Sequence, residues 1–189
     1  EKRIAYDCIQ KDLSRRPMVT VAMEDERMNR VIVSGAVEEP GVVELTDGRL
    51  MMIIRTSLRD IYRSYSSDRG VTWSDPEPMG VGAPVAPSTI TRIPSTGDLL
   101  LIWNECFRDD PDAEGARTPL TAAISRDEGE TWEHRRDLEN DPELWFAYTS
   151  VTFVDDRALM TYWVDERHSD DRLLHLKFRS VPVSWFYTA

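Results

Sequence analysis

Ser66-Ser67-Asp68-Arg69-Gly70-Val71-Thr72-Trp73 returns further along the chain as Ser125-Arg126-Asp127-Glu128-Gly129-Glu130-Thr131-Trp132. Every fixed position of S-x-D-x-G-x-T-W is kept while the residues between them change. The retained types have a local physical purpose. Serine and aspartate side chains bond the N–H groups of their own turn, and glycine supplies a positive φ. The tryptophan gives the turn a large apolar anchor. Asp68 and Asp127 are therefore expected to staple turns rather than to do chemistry. A third, eroded copy can be laid over Arg179-Ser180-Val181-Pro182-Val183-Ser184-Trp185, its aspartate and glycine gone.

The same pair of strands precedes each copy. Val42–Leu45 with Leu50–Ile54 comes first, then Ser88–Ile93 with Asp98–Trp103, then Ser150–Val154 with Ala158–Trp163. The connecting stretches, Thr46-Asp-Gly-Arg49, Pro94-Ser-Thr-Gly97 and Asp155-Asp-Arg157, are rich in turn formers. No helical period stands out. The repeats predict an all-β chain of about three four-stranded propeller blades, at residues 37–82, 83–143 and 144–189 of a single partial propeller domain. Residues 1–36, with strand-like Met18–Met23 and Arg30–Ser34, read as the end of a preceding blade. A closed propeller takes about four to eight blades, and an open one leaves exposed sheet edges. Blades before Glu1, or a second chain, are expected to complete it.

Composition narrows the function further. The chain of 189 residues carries a net charge of -11, which argues against a general nucleic-acid or anionic-membrane binder. No apolar run is long enough to span a bilayer. The opening Glu1-Lys-Arg-Ile-Ala-Tyr6 shows neither an initiator methionine nor a signal-peptide pattern. Cys8 and Cys106 lie far apart, outside any CxxC spacing, and are expected to be buried thiols.

Glu39-Pro-Gly-Val-Val-Glu-Leu-Thr-Asp-Gly-Arg-Leu-Met-Met-Ile-Ile-Arg55 reads as a turn followed by a hairpin about a two-residue Asp47-Gly48 turn. The hairpin brings Glu39 and Arg55 to the same end of the paired strands. An arginine closing a buried strand needs a partner or an opening to water.

The two boxes resemble the Asp-box, or BNR, repeat of the sialidase (neuraminidase) superfamily, a six-bladed β-propeller. Glu39-Pro-Gly-Val-Val-Glu44-Leu45-Thr-Asp47-Gly48, ending at Arg55, is similar to that family's E-x-x-x-x-E-L-x-D-G strand and its arginine. Arg117-Thr-Pro-Leu-Thr-Ala-Ala-Ile-Ser125 fits a further arginine, which opens the strand into a later box. Tyr148-Thr-Ser-Val151 matches the tyrosine nucleophile motif, with Thr149 and Ser150 replacing its serine and aspartate. The resemblance spans residues 37 to 187 and looks like a C-terminal half. It implies an exo-glycosidase acting on sialylated or other acidic glycans. Tyr148 is its nucleophile, Glu39 the base, and Arg55 and Arg117 clamps for the sugar carboxylate. The family's acid/base aspartate and first arginine have no counterpart here, so the isolated half is expected to be inactive. Family habit points to an extracytoplasmic setting. The alternative is a non-catalytic Asp-box propeller that binds glycans or proteins.

Asn104-Glu105 stands at the blade position of Arg55 and is a candidate pocket lining, with Asn104 a substrate ligand. Glu38 competes with Glu39 for the base role, whereas Glu44 reads as a packing or rim residue. Trp145 and Phe146 could floor a sugar or fill the core. Asp110-Pro-Asp112-Ala-Glu114-Gly115 has the start of a calcium loop, but its twelfth position is Thr121. His134, His168 and His175 lack metal spacing. No metal, cofactor or nucleic acid is expected.

Overall fold

The computed structural model describes the backbone of residues 18–24 and 30–38 and all atoms of residues 39–107, 115–166 and 175–188. The chain is all-β. Strands β1 (Met18–Glu24), β2 (Arg30–Glu44), β3 (Leu50–Thr56), β4 (Asp60–Ser66) and β5 (Glu77–Gly82) form one sheet in sequence order. β6 (Thr89–Arg92), β7 (Leu99–Asn104), β8 (Leu120–Ser125) and β9 (Glu133–Glu139) form a second. β10 (Leu144–Val154), β11 (Arg157–Glu166) and β12 (His175–Pro182) form a third, followed by a 3-10 helix at Val183–Tyr187. Among the described residues no helix is long and apolar enough to cross a membrane.

The chain divides into two compact units, residues 1–81 and residues 82–189. In the first, Met51, Ile53, Ile54, Ile61 and Met79 are buried. The Asp60 carboxylate joins β4 to the edge strand, accepting from Met79 N at 3.1 Å and Val81 N at 3.3 Å. In the second unit, every residue of β7 and β8 is buried, matching their near-continuous apolar sequence. Ile93, just after β6, and Leu100, Ile102, Leu120, Ile124 and Leu138 of one sheet share a core with Phe146, Met160, Tyr162 and Val181 of the other and with Phe186 of the 3-10 helix. Fully burying a side chain of this size contributes about 1.5–3 kcal/mol, so this shared core fixes how the two sheets pack.

Both boxes form the same turn. Ser66 Oγ donates to Asp68 Oδ1 at 2.8 Å and accepts from Gly70 N at 2.8 Å. Asp68 in turn accepts from Thr72 N at 2.8 Å and from Thr72 Oγ1 at 2.6 Å. Ser125, Asp127, Gly129 and Thr131 repeat these bonds at 2.8, 2.8, 2.8 and 2.5 Å. Gly70 and Gly129 have φ of 84° and 89°, the left-handed conformation that glycine adopts without strain. The aspartates are turn staples.

Three expectations about local structure are corrected. The first hairpin loop is longer than two residues. Gly48 N donates to Leu45 O and Leu45 N to Arg49 O, with Gly48 at φ 84°, which is a type I turn closed by a glycine bulge. Glu39-Pro40-Gly41 does not open the hairpin as a turn, because β2 runs through it. The third box is absent: Val181 pairs with Ala158, and the chain then enters the 3-10 helix that carries Trp185. There the tryptophan anchors a different element, with Arg136 Cζ stacked 4.2 Å from its ring centroid.

Candidate active site

Two β-bulges organise the candidate residues. In β2, Glu38 pairs with Arg55 and Gly41 with Ile53, so Glu39 and Pro40 together oppose Ile54. In β10, Ala147 pairs with Trp163 and Ser150 with Thr161, so Tyr148 and Thr149 together oppose Tyr162. The bulges are of one kind, two residues against one, each on a strand that leads into a hairpin. The first residue of each is left-handed, Glu39 at φ 47° and Tyr148 at φ 58°. Such a φ is uncommon for residues other than glycine, and rarer still for a bulky one. A bulge bends its strand and re-aims the side chain it carries.

In the first unit, Arg55 Nη1 donates to Glu39 Oε2 at 2.6 Å. The arginine side chain is 10% exposed and the glutamate 36%, so the pair sits half in water. The hairpin thus brings Glu39 and Arg55 together. The side chain of Glu38 lies outside the described residues. Glu44 is exposed at the end of β2.

In the second unit, Tyr148 is 49% exposed. Its ring lies 5.9 Å from that of Trp163, tilted by 31°. Arg117 Cζ stands 5.3 Å from the Trp163 centroid and 6.0 Å from that of Tyr148, which brings a cation against two aromatic faces. Arg117 precedes β8 rather than opening it, and its carbonyl accepts from Phe146 N at 2.9 Å. The structure therefore gathers Arg117 and Tyr148. Trp163 was missed as a site residue: in sequence it reads only as a strand aromatic, and its place beside the bulge is what distinguishes it.

Asn104 is placed differently from expectation. It is 1% exposed, and its Nδ2 donates to Phe146 O at 3.0 Å and Pro119 O at 3.4 Å. Its Oδ1 is buried with no hydrogen-bond partner among the described residues. Asn104 thus ties β7 to the segment carrying Arg117 and to β10. Beside it, Glu105 is buried and pairs with Arg135, whose guanidinium lies over Trp103. Phe146 is core, and Trp145 is half-buried. Asp110, Asp112, Glu114, His168 and Cys8 lie outside the described residues; Cys106 is a buried thiol.

The sequence model of the BNR repeat-like domain matches residues 17–160. The chain belongs to the BNR repeat-like domain family. Among solved structures, a leech intramolecular trans-sialidase superposes with a TM-score of 0.56 at 20% identity, over 85% of this chain and 26% of the leech protein. The intramolecular trans-sialidase of Ruminococcus gnavus gives 0.57 at 16% identity, over 87% and 38%. An α-L-arabinofuranosidase of Fusarium graminearum gives 0.52 at 16%, over 77% and 48%. No curated protein matches. The BNR chain thus has the sialidase-like propeller fold, as its boxes implied, and spans between about a quarter and a half of those relatives' length.

Proposed function

We propose that this BNR chain carries part of the active site of an exo-glycosidase acting on sialic acid or a related acidic sugar. One observation supports the reading above the others. Two matched bulges hold Glu39 and Tyr148 in left-handed backbone, a conformation that costs about 1–3 kcal/mol and clusters at functional sites.

A sialoside bears a carboxylate on its anomeric carbon. A carboxylate nucleophile would meet repulsion of about 4 kcal/mol at 4 Å for an effective dielectric near 20. A tyrosine avoids this by approaching as a neutral phenol, a base taking its proton as the new bond forms. In the proposed sequence a base, the role the family resemblance gives Glu39, takes the phenolic proton as the Tyr148 oxygen bonds to the anomeric carbon. The bond to the aglycone breaks, and the aglycone oxygen collects a proton from an acid outside the residues named here. Water then attacks the same carbon, losing its proton to the conjugate base of that acid, while Tyr148 departs and regains its own proton from the base, so the configuration is retained. Arg55 and Arg117 hold the sugar carboxylate through their planar forks. On this reading further blades, from the same protein or a second chain, close the ring, and the enzyme works outside the cytoplasm.

Hydrolysis of aryl sialosides and aryl uronides by the completed propeller, with and without Tyr148→Phe, tests the proposal. A fall of about 10³-fold or more in kcat supports it. Unchanged turnover in the variant overturns it. A second reading, a non-catalytic glycan-binding propeller, draws on the exposed Tyr148 ring beside Trp163, a face suited to a sugar. There, glycan affinity would survive Tyr148→Phe in a protein without turnover.

A further inference from the structure

The two bulges are set by different means. The second residue of the β2 bulge is Pro40, whose ring fixes φ and which has no N–H to lose from the ladder. The second residue of the β10 bulge is Thr149, which brings no such constraint. Hydrogen bonds from the adjoining sheet bracket it instead. Thr89 Oγ1, on β6, donates to Thr149 O at 2.6 Å. Asn104 Nδ2, at the end of β7, donates to Phe146 O at 3.0 Å. One bond falls just after Tyr148 and the other two residues before it.

We propose that Thr89 and Asn104 are positioning residues that hold the Tyr148 bulge in the shape that aims its phenol. The role rests on the assignment of Tyr148 as nucleophile, but the geometry it controls can be read separately. Phe146 N donates to Arg117 O, so the segment bearing Arg117 is tied to the same stretch of β10. Asn104 grips both segments, because it also donates to Pro119 O. Loss of either bond would leave a carbonyl without its donor and let the bulge relax toward regular pairing. A nucleophile displaced by about 1 Å loses on the order of 100-fold in rate, with little change in how substrate binds.

Thr89 gives the cleaner test, because it is half-buried and Thr89→Val exchanges only its hydroxyl for a methyl. The protein is labelled with 3-fluorotyrosine, and the Tyr148 fluorine resonance is identified by its loss in Tyr148→Phe. In Thr89→Val that resonance is expected to shift or split while those of the other tyrosines hold. In the completed propeller, kcat is expected to fall about 10- to 100-fold with KM within about twofold. Thr89→Ser, which restores a donor, should recover both readouts. An unmoved Tyr148 resonance in Thr89→Val overturns the inference, as does a serine variant that recovers neither readout. If Thr89→Val moves the resonance but Tyr148→Phe keeps full turnover, the positioning stands and the nucleophile assignment falls. If Tyr148→Phe is dead and Thr89→Val changes nothing, the reverse holds.

Discussion

Arg55 Nη1 lies 2.6 Å from Glu39 Oε2, so the arginine closing one buried strand clasps the carboxylate that its neighbour's bulge displays. The glutamate is 36% exposed, and pairs this wet contribute at most about 1 kcal/mol to stability. Arg55→Lys keeps the charge and loses the fork. Its melting temperature is expected to stay near wild type, while affinity for a carboxylate-bearing sugar falls about tenfold, as titration or KM would show.

Phe146 and Tyr148 stand two residues apart and should answer substitution in opposite ways. Phe146 is 1% exposed, in the core shared by two sheets, and Phe146→Ala is expected to cost about 3–5 kcal/mol. Tyr148→Gly removes left-handed strain of about 1 kcal/mol and loses ring contacts of similar size. Denaturant melts should place it within about 1 kcal/mol of wild type, with no turnover.

Acid should weaken the boxes. The Thr72 hydroxyl, then the Thr72 amide and Ser66 hydroxyl, hold the Asp68 carboxyl at about 2. Asp127 is lowered in the same way, first by Thr131. Each pKa is depressed by folding, so its stabilisation is complete above the unfolded value near 3.8 and is lost as pH falls through the folded value, about 2 for Asp68. Thermal melts from pH 5 to 2 should show this acid limb. The double variant Asp68→Asn with Asp127→Asn should flatten it and be less stable at pH 7.

Alkali should loosen the C-terminal segment. Tyr187 donates to Asp98 Oδ2 at 2.7 Å and meets Thr96 Oγ1 at 2.7 Å. Burial and then the Asp98 carboxylate push its phenol up to about 12. That bond stabilises fully below the ordinary phenol value near 10 and is lost as pH rises through about 12. Tyr187→Phe should cost about 1 kcal/mol near neutral pH and remove this part of the alkaline limb.

What the sequence disclosed follows from how far apart the interacting residues lie. The boxes were legible because serine, aspartate, glycine and threonine satisfy one another within a single turn. The meeting of Glu39 with Arg55 was legible because a short hairpin dictates it. The β10 bulge was not, since Tyr148-Thr149 contains neither glycine nor proline and its restraining hydroxyl comes from distant Thr89. Asn104 was placed at the right level of its blade, but only the packing reveals that its amide faces two backbone carbonyls. Trp185 misled because a large aromatic anchors a 3-10 helix as readily as a box.

Pro40 and Thr149 imply two different times of birth for the two bulges. The glutamate's geometry is written into its own strand and exists once that hairpin has closed. The tyrosine's geometry is borrowed from a neighbour, and comes into being only when β6 and β7 have docked against β10. A half-assembled chain would therefore hold Glu39 in place but leave Tyr148 unaimed.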